Sequence, residues 1–170
     1  MPLAHTIVCN GYAIGANINP NYLAPFKLSM TIQTSSLQLG NGGILYDHSD
    51  SSLISISWSE DETSKSESKI KFIVTCMDSS ESDGTRITQP LNKSQNYDLE
   101  ISFNDHTSNV FLNGEIIGDP IRCENGLKEL GTPELCYTVA EGKWIGSITN
   151  LKFESFEGNQ RTFSPPFYYT

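Results

Sequence analysis

The densest group of carboxylates in the chain is Glu60-Asp61-Glu62, within the polar stretch SEDETSKSES of residues 59–68. Two carboxylates can cleave a glycosidic bond when a fixed separation lets one act as acid and the other as nucleophile or base. Adjacent residues on a strand point to opposite faces, so this cluster does not predict such a pair. No G-x-S-x-G, P-loop or G-x-G-x-x-G motif occurs. The sequence therefore predicts a protein that is not an enzyme.

Aromatic side chains predict a different chemistry, in which a ring stacks on a sugar while nearby polar groups bond the hydroxyls. The candidate ligand-binding residues are Trp144, Tyr46, Tyr137 and Trp58. Trp144 follows Gly142-Lys143 where a strand is predicted to begin, which favours an exposed rim position. Trp58 lies inside a predicted strand, which favours the core.

The four cysteines are Cys9, Cys76, Cys123 and Cys136, and they form no C-x-x-C pair. Cys123 and Cys136 bracket a Gly- and Glu-containing loop, a plausible length for a disulfide. Cys9 and Cys76 lie in strand-like sequence, where either a 9–76 disulfide or buried free thiols would fit.

The histidines lack a metal-ligand spacing, so a zinc site is not predicted. Asn92-Lys93-Ser94 is the one glycosylation sequon, a number that chance alone would give.

The charge balance excludes two classes of partner. The 170 residues include 11 basic and 20 acidic side chains, a net charge of −9. Nucleic acids and anionic membranes need a Lys/Arg patch, and the chain has no dense basic cluster. No apolar run approaches the roughly 18 residues of a membrane span, and the N-terminal sequence has no signal-peptide pattern. We therefore expect no nucleic-acid partner and no membrane insertion.

Period-2 alternation recurs along the chain, whereas no window shows convincing helical spacing. Residues 26–33, 53–58, 69–74 and 97–103 each predict a strand. In residues 144–153 both the odd-numbered and the even-numbered positions include apolar residues, which suggests a strand covered on both faces. About ten to thirteen short strands separated by turns predict one β-sandwich or barrel domain over residues 1–170. Residues 59–68 are predicted to be an exposed loop and residues 164–170 an edge strand or tail.

The stretch NVFLNGEIIG, residues 109–118, predicts a tight hairpin. Asn113-Gly114 is the favoured pair for a type I′ turn, in which both central residues have positive φ. Strand-like residues stand on both sides of the pair. Two antiparallel strands joined by two residues are therefore expected here.

Several stretches resemble the laminin-G/concanavalin-A-like jelly-roll superfamily, in the superfamily's order. These are FKLSMTIQTSS (26–36), GGILYDHSD (42–50), the strand–turn–hairpin passage YDLEISFNDHTSNVFLNGEIIG (97–118) and GKWIGSITNLKFES (142–155). The resemblance implies an all-β, two-sheet antiparallel jelly-roll sandwich whose first twenty residues run beside the closing strand. One departure is Ser147 after Gly146, where many laminin-G modules carry a cysteine. The galectin motifs H-x-N-P-R and W-x-x-E are also absent.

The resemblance also implies a function and a metal. Calcium often lies at the rim of such sandwiches, and the candidate ligands by position are Asp47, Asp50 and Asp119; turn formation explains Asp47 and Asp50 equally well. The implied function is a non-catalytic recognition module for a glycan or a protein surface, in adhesion or host attachment. The expected location is extracellular or surface-exposed. The alternatives are a structural or assembly domain of a larger complex and, less favoured, a glycan-cleaving enzyme.

Overall fold

A computed structural model describes residues 6–10, 14–16, 25–47, 53–60, 68–76, 85–104, 106–127, 133–136, 142–155 and 167–169. These residues form thirteen β-strands and no helix. In chain order the strands are β1 (Thr6–Asn10), β2 (Ile14–Ala16), β3 (Phe26–Thr34), β4 (Gly42–Asp47), β5 (Ile54–Glu60), β6 (Ser68–Val74), β7 (Thr85–Leu91), β8 (Asn96–Phe103), β9 (Thr107–Leu112), β10 (Glu115–Arg122), β11 (Pro133–Leu135), β12 (Ile145–Ser155) and β13 (Phe167–Tyr169).

The strands form two antiparallel sheets. The six-stranded sheet has the order β1-β12-β3-β8-β9-β10, and the seven-stranded sheet has the order β13-β2-β11-β4-β5-β6-β7. As expected, β1 runs beside the closing strand β12, with Thr6 opposite Thr149 and Asn10 opposite Ile145. This arrangement confirms the predicted two-sheet jelly-roll sandwich.

The core lies between the sheets because alternate residues of each strand are apolar. In β3 the side chains of Phe26, Leu28, Met30 and Ile32 are buried, and polar residues occupy the positions between them. Phe26 and Phe103 stack across the β3–β8 pair with ring centroids 4.6 Å apart. This period of two leaves the opposite face of each strand available for polar side chains.

The hairpin of residues 109–118 is confirmed. Asn113 and Gly114 have φ angles of 50° and 84°, the positive values that a type I′ turn requires. Leu112 pairs directly with Glu115 across the two-residue turn. The hairpin is thus the connection between β9 and β10.

A β-bulge explains the apolar residues at both odd-numbered and even-numbered positions in β12. The register with β3 shifts between Thr149 and Lys152, so β12 gains one residue relative to its neighbour. Asn150 in this segment has a φ of 55°. The bulge changes which alternate residues face the core, so Ile148 and Leu151 are both buried although they are three residues apart. Even-numbered residues therefore face the core before the bulge, and odd-numbered residues face it after the bulge.

Trp144 closes one end of the sandwich against two glycines. Its side chain is fully buried, and its indole N–H donates a 3.0 Å hydrogen bond to Thr34 Oγ1. A Cβ on Gly146 would lie 2.5 Å from the Trp144 ring and 2.4 Å from Gln33 O, and one on Gly42 would lie 2.3 Å from Trp144 N. Both positions therefore need glycine because the backbone approaches too closely for a side chain.

The disulfide prediction is wrong. Cys9 is bonded to Cys136 and Cys76 to Cys123, which also rules out a 9–76 pair and free thiols. Cys123 follows β10 in the six-stranded sheet, whereas Cys136 follows β11 in the other sheet. Proximity in sequence therefore does not bring them together. Each bond instead joins the two sheets, at the opposite edge strands β1 and β10 of the six-stranded sheet.

The predicted loop and tail lie mainly outside the described residues. β5 ends at Glu60 and β6 begins at Ser68, so residues 61–67 of the predicted loop are not described. β13 is an edge strand of the seven-stranded sheet. In the part of the chain that the structure describes, no helix has the length and hydropathy to cross a membrane.

Candidate functional site

The outer face of the six-stranded sheet carries polar side chains in register across three strands. Ser29 on β3 lies opposite Glu100 on β8, which lies opposite Phe111 on β9. One step along, Thr31 lies opposite Asp98. Since alternate residues share a face, these side chains lie together on the surface away from the core.

A shallow cavity of about 230 Å³ opens on this face. We call it the Phe111 depression; its outward-facing lining includes Ser29, Thr31, Asp98, Glu100, Phe111, Asn150 and Lys152. It combines an aromatic ring with hydroxyl, carboxylate, amide and ammonium groups. Such a combination can bind a ligand that has both an apolar face and hydroxyl groups.

Phe111 is the aromatic surface of the depression. Its side chain is half-buried, although it points away from the core. Its neighbour across the β9–β10 pair is Ile116, whose side chain is 51% exposed. The ring and Ile116 therefore form an apolar patch beside the carboxylate of Glu100.

Hydrogen bonds hold Asp98 in place at the rim of the depression. The Thr31 hydroxyl donates a 2.7 Å bond to Asp98 Oδ1. The Asp98 backbone N–H donates a 2.8 Å bond to Asn113 Oδ1, and Asn113 N–H donates a 2.8 Å bond back to Asp98 O. The β9–β10 turn thus fixes the backbone of Asp98, and Thr31 fixes its carboxylate.

The charged groups around the depression differ in their pairing. Lys27 lies between Glu100 and Glu154, with its Nζ 3.4 Å and 3.6 Å from their carboxylate oxygens. These ion pairs are partly exposed and contribute little to stability. Lys152 is exposed, and within the described ranges no acidic side chain pairs with it. Its ammonium group is therefore available to a ligand.

The β12 bulge places Asn150 in the lining of the Phe111 depression. Its side chain is exposed, and asparagine tolerates the left-handed conformation better than most residues. Bulges commonly redirect side chains beside functional sites. Here the bulge adds an amide group to a sheet face that otherwise offers hydroxyl and charged groups.

A second cavity, of about 500 Å³, lies on the same face of the sheet. We call it the Val8 depression; its lining includes Val8, Asn10, Gln33, Ser35, Ser94 and Ser147. Val8 is 69% exposed, and it lies opposite Ser147, which lies opposite Gln33. Gln33 and Ser29 are four residues apart on β3, roughly 13 Å along the strand. The two depressions therefore follow one polar face.

Trp144 does not lie at an exposed rim, as predicted, whereas the core position favoured for Trp58 is confirmed. Trp144 is 0% exposed and Trp58 is 1% exposed, and both belong to the core between the sheets. An indole that solvent cannot reach cannot stack on a sugar. Trp144 belongs to the core because its ring packs on Gly146 beneath β12, a contact that the sequence pattern does not reveal.

The remaining aromatic predictions are not tested by the described residues. The backbone of Tyr46 lies in β4, but its side chain lies outside the described part. Tyr137 lies outside it entirely. Both stay predictions.

Of the three aspartates predicted to bind calcium, Asp119 lies far from the backbone of Asp47. Asp119 is exposed on β10, and its neighbour Gly118 lies against Ile87 of β7. Asp47 ends β4, which is three strands from β7 in the seven-stranded sheet, roughly 14 Å away. One calcium ion, with ligand distances near 2.5 Å, cannot bind both. The Asp47 side chain and all of Asp50 lie outside the described residues, so that pair stays a prediction.

The sequence predicts which side chains of β8 point outward but does not predict the site. Alternation in residues 97–103 places Asp98 and Glu100 on the outer side of their strand. It does not reveal that Phe111 of β9 and Lys152 of β12 border the same cavity. For Phe111 the sequence predicts only a place in a hairpin strand. The described residues contain no group of three or more His, Cys, Asp or Glu side chains suited to a metal ion.

Comparisons with known proteins support the fold. No protein-family model matches the chain, and no curated protein matches it. Among solved structures, the binding domain of botulinum neurotoxin DC in complex with SialylT is 13% identical, with a TM-score of 0.58. That match covers 88% of this chain and 42% of the toxin chain, so this chain spans less than half of that protein's length.

Two further structures align over most of the chain. The alginate lyase AlyC3 is 9% identical with a TM-score of 0.55, over 89% of this chain and 74% of the lyase. The Caenorhabditis elegans galectin LEC-6 is 12% identical over 87% of this chain and 90% of the galectin, but its TM-score of 0.45 is too low to support an argument. At these identities the toxin and lyase matches show the jelly-roll fold and nothing about activity.

Proposed function

We propose that this protein is a non-catalytic recognition module that binds a glycan on the outer face of its six-stranded sheet. The observation that carries the proposal is the Phe111 depression, a single cavity lined by a half-buried aromatic ring and by the side chains of Asp98, Glu100, Asn150 and Lys152. The ring would contact the apolar face of a sugar, and the polar groups would bond its hydroxyls. The similarity to a toxin binding domain solved with SialylT is consistent with a recognition role.

The charges of the depression favour a neutral glycan. Asp98, Glu100 and the neighbouring Glu154 bring three negative charges against two positive charges from Lys27 and Lys152, while the whole chain carries −9. A sulfated or carboxylated glycan would be repelled both at the site and by the whole protein. Carboxylates instead accept hydrogen bonds from sugar hydroxyls, and Lys152 donates to their oxygens.

A glycan array carrying neutral and anionic glycans tests the proposal. We expect wild-type protein to bind neutral glycans, and Phe111→Ala and Asp98→Ala to weaken that binding. Two control variants change residues outside the depression. Leu37→Ala removes another exposed apolar side chain and matches Phe111→Ala, and Asp119→Ala removes another exposed carboxylate and matches Asp98→Ala. Loss of binding in the controls as well, or binding that all four variants retain, would overturn the site.

A glycan-cleaving enzyme is the second candidate. It is favoured by the similarity to alginate lyase AlyC3 and by Asp98 and Glu100, which lie two residues apart on one face of β8. Prolonged incubation with polysaccharides, alginate included, would reveal new chain ends if the protein cleaves them. Cleavage that Asp98→Asn and Glu100→Gln abolish would replace the recognition proposal.

Two further parts of the proposal concern compartment and metal. An extracellular or surface location is supported by the two disulfides, because such bonds persist in oxidising compartments. Calcium binding by Asp47 and Asp50 is proposed without Asp119. A melting temperature that is the same with calcium and with chelator would exclude it, since a ligand specific to the folded state must stabilise that state.

A further inference from the structure

Two exposed leucines stand beside the glycosylation sequon. Leu37 and Leu39, in the connection between β3 and β4, are 74% and 81% exposed. The sequon Asn92-Lys93-Ser94 lies in the turn between β7 and β8. Lys93 Nζ donates a 2.6 Å hydrogen bond to the backbone oxygen of Gln38, the residue between the two leucines.

The leucine loop is held in place, so its exposed side chains cannot simply turn inward. Gln38 is fully buried, and the two hydrogens of its Nε2 are shared among Leu39 O, Gly40 O and Lys143 O, at 3.2, 3.2 and 3.0 Å from the nitrogen. Its Oε1 accepts a hydrogen bond from Ile145 N. A buried side chain with this many bonds fixes the backbone on either side of it. The loop backbone is thus anchored on both sides of Gln38, and Leu37 and Leu39 project into solvent.

The turn that carries the sequon is fixed to the same part of the molecule. Ser94 N–H donates a 2.7 Å hydrogen bond to Thr34 O, and Gln33 Nε2 donates a 3.2 Å bond to Ser94 O. The Lys93 ammonium also pairs with Glu60, whose Oε2 accepts a 3.0 Å bond from Gly40 N. The sequon and the leucine loop thus form one rigid surface.

The Asn92 side chain is accessible in this arrangement. It is exposed, and the one hydrogen bond described for its Nδ2 is a long contact of 3.4 Å to Gln95 Oε1. Its backbone is ordered by the 2.8 Å bond from Asn92 N to Tyr97 Oη. A substituent on Nδ2 would therefore project into solvent without breaking a strong contact. The two disulfides are of the kind that forms in oxidising compartments, and asparagine glycosylation takes place in one of these.

We propose that Asn92 carries an N-linked glycan that covers Leu37 and Leu39. In the transfer, the bond between sugar C1 and the phosphate oxygen of a lipid-pyrophosphate oligosaccharide donor breaks, the C1–Nδ2 bond forms, and one Nδ2 proton leaves. Such a glycan is bulky and solubilising. It would shield two leucines that otherwise expose apolar surface to water. This inference does not depend on the proposed glycan binding at the Phe111 depression.

The site is tested by secreting the full chain from a eukaryotic cell behind a secretory leader. We expect a mass decrease on treatment with peptide N-glycosidase, and conversion of Asn92 to aspartate in the corresponding peptide. Asn92→Gln and Ser94→Ala should each lose the glycan, whereas Gln95→Ala, which leaves the sequon intact, should keep it. Folded, disulfide-bonded protein secreted with Asn92 unmodified would overturn the proposal.

The covering of the leucines needs a separate readout. Folded glycoprotein is labelled by photochemical footprinting before and after enzymatic removal of the glycan. We expect labelling of Leu37 and Leu39 to increase several-fold. Labelling of Ile116, an exposed residue of β10, should not change. Unchanged labelling of both leucines would show that the glycan does not cover them.

Discussion

The hydroxyl of Thr31 donates a 2.7 Å hydrogen bond to the carboxylate of Asp98 across the β3–β8 pair. This bond fixes the orientation of a carboxylate that borders the Phe111 depression. A group held in position before the ligand arrives loses less conformational entropy on binding. The pair therefore links the sheet register to the proposed recognition.

Replacing Thr31 by valine should weaken glycan binding while it leaves the fold intact. The substitution keeps the shape of the side chain but removes the hydroxyl that orients Asp98, and a hydrogen bond to a charged group contributes about 1.5–3 kcal/mol. We expect affinity to fall up to about tenfold, which corresponds to about 1.4 kcal/mol. Titration calorimetry measures the change. Thr149→Val, on the same face but outside the lining of the depression, is the control and should retain wild-type affinity.

Tryptophan fluorescence should not respond to a bound glycan. Trp58 and Trp144 are the only tryptophans of the sequence, and both are buried. We expect blue-shifted emission that iodide does not quench and that saturating glycan does not change. Emission that shifts on binding would contradict the placement of the ligand at Phe111, because it would require a ligand that changes the surroundings of a tryptophan.

The two disulfides should contribute unequally to stability. They join residues 127 and 47 positions apart in sequence. In the chain-entropy account, closing loops of these lengths stabilises the fold by about 5 and about 4 kcal/mol. We expect Cys9→Ser/Cys136→Ser to lower the free energy of unfolding somewhat more than Cys76→Ser/Cys123→Ser, as measured by urea denaturation.

Peptide mapping of the non-reduced protein tests the pairing itself. The expected linked peptides contain Cys9 with Cys136 and Cys76 with Cys123. A peptide that links Cys123 to Cys136 would contradict the way in which the two sheets are joined.

A methyl group at position 146 should destabilise the fold. The Cβ of alanine would lie 2.4 Å from Gln33 O and 2.5 Å from the Trp144 ring, so either the β3–β12 pair or the ring must move. Overpacking of this kind costs about 1–3 kcal/mol. The effect is measured by comparing the melting temperature of Gly146→Ala with that of the control Ser147→Ala, which changes the next residue of the same strand. Equal melting temperatures would show that Trp144 does not pack on this glycine.

The strands were predictable because their determinants are local. Alternation of Phe26, Leu28 and Met30 with polar residues specifies β3, and Asn113-Gly114 specifies a turn through backbone conformation alone. The disulfides were not predictable in this way. Their pairing depends on which strands become the edges of each sheet, and local sequence does not encode that.

The site required tertiary information for the same reason. Asp98 and Phe111 are 13 positions apart, yet the β8–β9 register and the neighbouring strands bring them to one cavity. Trp144 looked suitable for sugar stacking because a tryptophan at the start of a strand can face either way. Its burial follows from the absence of a side chain at Gly146, a pairing that only the folded chain shows.

The most direct test of the central claim is the affinity of Phe111→Ala for the neutral glycan that wild-type protein binds best. The account predicts an affinity loss of at least about tenfold, because an aromatic contact contributes about 0.5–1.5 kcal/mol beyond the area that it buries. It also predicts at most a small drop in melting temperature, since Phe111 faces away from the core and loses only surface contacts such as that with Ile116, and an unchanged affinity for Leu37→Ala. Full affinity in a folded Phe111→Ala protein would contradict recognition on the outer face of the six-stranded sheet.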